Sequence, residues 1–131
     1  MKGLAESCWV FLGAGLGANV RYWLSAMIQA RNTTPFPWGT FTINVTGCFG
    51  IGLITGVLLA MDLGAPWRLL IVVGFLGGYT TFSSFSNETF GLIQRGNMVY
   101  AAAYVLGSVF VGLLGTWLGD ILIKLVFRGR P

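Results

Sequence analysis

Histidine is absent from these 131 residues, and acidic residues number only four. Cysteine occurs twice, at Cys8 and Cys48, with no second pair at metal-ligand spacing. No two carboxylates form a dyad of the kind that serves general acid–base chemistry. Hydrolase, kinase and redox functions therefore have nothing to stand on, and the chain does not read as an enzyme. Both cysteines lie in apolar surroundings and read as packed thiols, not as a disulfide framework. Charge of either sign is scarce, at 9% of residues against 55% hydrophobic. A soluble domain carries about a quarter charged residues, so this chain would struggle to clothe its surface in water.

What is present is apolar sequence in long runs. No charge occurs from Asn32 to Met61, from Leu69 to Asn87, or from Gly96 to Gly119. Each gap holds the roughly 20 helical residues that a bilayer core requires, or nearly so. A further apolar run, Ser7 to about Ile28, is interrupted by Arg21. The pattern predicts an all-α integral membrane protein of one domain, 1–131, with four transmembrane helices over about 8–28, 39–61, 67–93 and 98–126. Pro35, Pro37 and Trp38 mark the entry to span two, and Asp62, Gly64 and Pro66 its end. A signal peptide is a poor reading of the start, because the first apolar run continues past any cleavage point and three more hydrophobic stretches follow.

The net charge of +4 would hint at nucleic acid in a soluble protein. Here the basic residues sit at span ends, where lipid headgroups and topology account for them. No basic patch interleaved with aromatics remains for RNA or DNA. Lys2, Arg68, Lys124, Arg128 and Arg130 share one side, against Arg31 and Arg95 with Arg21 near them. That small bias puts the termini inside and also fits insertion in both orientations. Four short helices enclose little space, so at least a dimer is expected, with polar faces turned inward.

The third span breaks the pattern. Gly77-Gly78 is followed by six hydroxyl residues in the next nine. Helical continuity is expected to be weakest there, freeing carbonyls mid-membrane, which is tolerated only against protein, water or an ion. Asn44 stands at membrane depth in span two, after Thr40 and Thr42, either as interhelical glue or in contact with a permeating species. Glu88 follows the break, either paired with Arg95 or Arg21 near the end of span three, or acting as a proton relay or vestibule acceptor. Arg21 either snorkels to headgroups or sits at the mouth of an anion path. Phe82 and Phe85, three apart, share a helical face among hydroxyls, and ring edges are electropositive. The Gly13/Gly17, Gly52/Gly56 and Gly115/Gly119 pairs are small-xxx-small packing faces without an assigned partner. Gly13-Ala-Gly15-Leu-Gly17-Ala18 mimics a dinucleotide fingerprint but lacks the βαβ context that would make it one.

These residues resemble the Fluc (CrcB) family of small fluoride channels over nearly the whole chain. The resemblance is carried by Gly13-x-Gly15 and Arg21-Tyr22, by Gly39-Thr-Phe-Thr-Ile-Asn44-Val-Thr-Gly47, by the run from Gly74 to Glu88, and by Tyr104 and Ser108. It implies an antiparallel, dual-topology homodimer in the bacterial inner membrane. It also implies passive, selective export of fluoride that relieves its toxicity. By position it implies a fluoride path along Phe82, Phe85, Asn44, Ser108, Tyr104, Thr81, Ser83 and Glu88, with Arg21 near the vestibule. It further implies a structural sodium ion at the dimer axis, on the backbone carbonyls of Gly77 and Thr80. Free carbonyls at a helix break suit such a hard cation. The alternatives are a small proton-coupled multidrug exporter and a structural membrane subunit. The exporter would need a membrane-embedded Glu in span one, whereas Glu6 precedes the apolar core.

Overall fold

A computed structural model describes residues 2–128. Arg130 and the side chain of Lys2, both counted in the charge bias, lie outside the described residues. The chain runs α1 (Lys2–Ala30), α2 (Trp38–Ala60), a short α3 (Ala65–Trp67), a π-helix, π1 (Arg68–Leu76), α4 (Gly77–Tyr79), α5 (Phe82–Gln94) and α6 (Met98–Val126). There is no strand among the described residues. Three stretches are long and apolar enough to cross a membrane: Trp38–Ala60, Ala65–Gln94 and Met98–Val126. The other long helix, α1, has 29 residues and extends about 43 Å at the usual rise. It carries Glu6 and Arg21 and is the least apolar of the four.

Two seams without side chains hold the helices together. Along α2 and α6, a Cβ on Gly52 would overlap the carbonyl oxygen of Thr116. One on Gly119 would lie 2.5 Å from the Phe49 oxygen and 2.8 Å from the Leu53 nitrogen. Backbones in such contact gain dispersion energy that bulkier residues would forfeit. Thr116 Oγ1 also donates to the Cys48 carbonyl at 3.0 Å. The second seam joins α1 to the third stretch. Cβ atoms on Gly13 and Gly17 would overlap the carbonyl oxygens of Leu70 and Phe75, so the wide turns of π1 lean directly on α1. Gly78 belongs to the same seam, since its Cβ would meet the Ala14 oxygen at 2.5 Å.

That placement corrects the expected position of the break. The chain remains helical through Gly77-Gly78-Tyr79 and parts at Thr80 (φ −83°, ψ 158°) and Thr81 (φ −151°, ψ 118°). The physical reason is that Gly78 serves close packing against α1, not backbone freedom. At the other end of α5, Gly96 takes φ 75° and turns the chain into α6.

The aromatic core sits toward the α5–α6 turn, where Phe36, Leu92, Ala101 and Tyr104 are buried together with Phe41 and Phe85 against them. Most other large apolar side chains face outward, as a lipid-embedded or partnered exterior requires. Cys8 is among the exposed residues, contrary to the packed thiol expected, because no other helix of this chain covers its side of α1; Cys48 is half-buried.

Gly119→Val is expected to lower the thermal unfolding midpoint in detergent, at an overpacking cost of about 1–3 kcal/mol. Gly15→Ala, whose Cβ meets nothing within 4 Å, should leave the midpoint unchanged or raise it, since alanine favours helix by up to about 1 kcal/mol. Equal midpoints for Gly119→Val and the parent would refute the tight seam.

Candidate functional site

The break is held from α2. Asn44 Oδ1 accepts from the Thr81 backbone N–H at 2.8 Å, and Asn44 Nδ2 donates to the Thr81 carbonyl at 3.1 Å. In a continuous helix the Thr81 N–H would serve the carbonyl four residues back, at Gly77. With Asn44 as its partner, the Gly77 carbonyl loses that donor. Thr81 also caps α5: its Oγ1 accepts from Ser84 N–H at 3.2 Å. That N–H would otherwise serve the Thr80 carbonyl, which the extended backbone turns away. The two carbonyls singled out in the sequence are thus both without helical donors, and each for an identifiable reason. Two residues along α2, Thr46 Oγ1 and Tyr79 Oη lie 2.9 Å apart, tying down the last residue before the break. Gly47 has no side chain where a Cβ would overlap Thr80 Cγ2, so Thr80 seats against α2.

Beside the break lies a cavity of about 400 Å³ open on one side. It gathers seven of the expected residues: Asn44, Gly77, Thr80, Thr81, Phe82, Phe85 and Ser108. Ser108 Oγ is buried without a hydrogen-bond partner among the described residues. The Phe82 and Phe85 ring centroids are 5.7 Å apart at 42°. Phe82 is 79% exposed in a single copy, whereas Phe85 packs on Tyr104 with centroids 5.0 Å apart. Ser83 is exposed and its Oγ lies 3.3 Å from Thr81 Oγ1, extending the run of hydroxyls away from the cavity.

Glu88 and Tyr104 stand behind Phe85, not on the cavity wall. Glu88 Oε1 accepts from Thr40 Oγ1 and Oε2 from Tyr104 Oη, both at 2.7 Å. One carboxylate therefore joins α2, α5 and α6. Of the alternatives open from sequence, pairing with Arg95 or Arg21 does not occur among the described residues, where the ion pair found is Lys124–Asp120. Arg95 instead donates through Nε to the Gly91 carbonyl at the end of α5. Arg21 is not brought to the cavity; its Nε is buried without a partner. Thr40 was passed over as a functional residue, although its spacing of four from Asn44 places both on one face of α2. Gln29 was missed altogether. It accepts from Gly39 N–H at 3.2 Å and so ties the end of α1 to the start of α2. Neither signal could be separated from ordinary polar helix residues without the three-dimensional partner.

Tyr104→Phe should lower stability by about 1–3 kcal/mol, because it leaves a Glu88 oxygen short of a donor in an apolar core. In a double-mutant cycle with Thr40→Val, non-additive unfolding energies are expected, since both act on one carboxylate. Strict additivity would mean that the two hydroxyls do not share it.

The profile of the family described as "CrcB-like protein, Camphor Resistance (CrcB)" matches residues 8–120. A protein of Acidobacterium capsulatum named fluoride-specific ion channel FluC is 52% identical over 114 residues, 86% of this chain and 91% of the relative. Proteins of the same name from Solibacter usitatus and Phocaeicola vulgatus are 46% identical over 116 residues and 42% over 110. These cover 88% and 84% of this chain, and 95% and 91% of the relatives. With a match that begins in the first turns of α1 and runs into the last turns of α6, and with crossing-length apolar helices between, the protein belongs to the CrcB family and is a multi-pass membrane protein.

Proposed function

We propose that this protein is a passive, fluoride-selective channel that lets fluoride leave the cytoplasm and so relieves its toxicity. The observation that carries the reading is the cavity beside the break, which sets hydroxyl and amide donors beside two phenylalanine rings with no carboxylate on its wall. The name borne by the relatives supports fluoride as the anion.

The working unit is an antiparallel homodimer in the bacterial inner membrane, with α1 as its fourth crossing and lipid around it. A second copy covers the open side of the cavity and the exposed face of Phe82. The weak charge bias between the two ends supports insertion in both orientations. Fluoride is small and a strong hydrogen-bond acceptor, so it gains more from closely set donors than chloride does. Ser108 Oγ offers an unengaged donor. Asn44 Nδ2 has a second hydrogen beyond the one given to Thr81. Thr81 and Ser83 continue the hydroxyl run, and the edges of Phe82 and Phe85 add positive potential. Several moderate sites in series allow entry without trapping. Glu88, with both oxygens already accepting, aligns Tyr104 and Thr40 without presenting a bare carboxylate to the anion. Arg21, which does not border the cavity of a single copy, would act from the vestibule by raising the local anion concentration.

The Gly77 and Thr80 carbonyls fit a hard alkali cation, because both lack helical donors and both border the cavity that the partner copy closes. They would hold a structural sodium ion at the dimer axis. Such an ion joins the two broken helices and adds positive potential near the anion path.

Liposomes loaded with potassium fluoride and potassium chloride, and given a potassium ionophore, should release fluoride and retain chloride. Loss of one ring-edge contact of about 1 kcal/mol in Phe85→Ile should slow release about fivefold while the protein still assembles. Equal release of both anions, or unchanged flux in folded Phe85→Ile, would refute the reading.

A further inference from the structure

From the pairing of Asn44 with Thr81 we infer that Asn44 is a positioning residue for the break: its amide withholds the Thr81 N–H from the Gly77 carbonyl and so keeps that carbonyl available. Its value to a cation rests on the sodium reading above, but the withholding itself does not.

Three observations support the assignment. The amide engages both backbone groups of Thr81, its N–H through the acceptor at 2.8 Å and its carbonyl through one donor at 3.1 Å. A side chain that only lined a path would not need to bond both the N–H and the carbonyl of one residue in this way. Thr81 lies in extended backbone, yet the preceding residues remain helical as far as Thr80 N–H, which still donates to the Leu76 carbonyl at 3.0 Å. The next donor in the series, Thr81 N–H, is the one diverted, and the carbonyl it leaves is that of Gly77. Finally, Gly77 has open space around it: a Cβ there would meet nothing nearer than the Val72 oxygen at 3.9 Å. Removal of the Asn44 amide leaves Thr81 N–H at membrane depth without its side-chain partner. Its nearest remedy is to resume the helical bond to Gly77.

The chain offers a direct readout. Gly77-Gly78 is its only Gly-Gly peptide. Glycine labelled with ¹³C at the carbonyl and ¹⁵N at the amide therefore gives one carbonyl–nitrogen correlation, that of the Gly77 carbonyl, in solid-state NMR of the full-length protein in lipid. In Asn44→Ala this signal should move to the position of a hydrogen-bonded helical carbonyl. Asn44→Ser keeps a polar group at depth but falls short of Thr81, so it should do the same and stands in should Asn44→Ala fail to fold. Asn44→Asp retains the acceptor and should leave the signal at the parent position. A signal unmoved by loss of the amide, or moved as far by Asp as by Ala, overturns the assignment.

Exchange of sodium for N-methylglucamine separates the two readings. The parent signal should respond to sodium, and the Ala or Ser variant should need at least about tenfold more, the usual loss when a ligand's support is removed. A parent signal indifferent to sodium would refute the cation reading, while the shift on losing the amide would still decide the role of Asn44.

Discussion

A peptide group released from a helix within a bilayer has no water to turn to, and the pairing of Asn44 with Thr81 is what makes the interruption at Thr80–Thr81 tenable. The cavity, the two free carbonyls and the direction in which Phe82 leaves the break all follow from that arrangement. A continuous helix from Ala65 to Gln94 would present a sealed cylinder there. The Thr81 hydroxyl completes the local solution by taking the Ser84 N–H, one of the orphan donors in the first turn of α5, as N-cap residues do.

The interruption needs a rigid frame, and backbone contacts supply it. α2 is fixed to α6 through Gly52 and Gly119, and α1 to the third stretch through Gly13, Gly17 and Gly78. α2 therefore stands between a stiff partner on one side and the break on the other. Its polar residues Thr40, Asn44 and Thr46 address Glu88, Thr81 and Tyr79 respectively. Three contacts at spacings of four and two along one helix align the whole broken stretch. The carboxylate of Glu88 extends this order to α6 by holding Tyr104, which is fully buried.

Much of the plan was legible in the sequence because membranes impose coarse rules. Charge-free runs and interfacial tryptophans delimit helices without any knowledge of contacts. The polar residues at depth stood out for the same reason, and seven of the expected residues do border one cavity. Which residue did what was less accessible. Gly77-Gly78 read as the break, because glycine usually marks backbone freedom, whereas Gly78 answers to Ala14 across a helix interface. Asn44 read as glue or as a pore residue, and its bond to a backbone peptide could not be distinguished from a bond to another side chain. Thr40 is marked only by its spacing of four from Asn44, and Gln29 carries no periodic or compositional mark. Their roles depend on partners 48 and 10 residues away in sequence.

The π-helical winding of Arg68–Leu76 has a bearing on how this chain tolerates length changes. Such winding is what an α-helix becomes when it carries surplus residues, and it is tightened by removing them. A deletion of one residue there could be absorbed without opening a gap in the backbone. Once that slack is spent, a further deletion would rotate the flanking segments against each other by about 100°, and Tyr79 and Thr80 would no longer lie beneath Thr46 and Gly47. The slack in this segment sets the phase of the helix that follows. Across related chains, its length should vary only by the residue or so that the winding takes up, even where its individual apolar residues interchange freely.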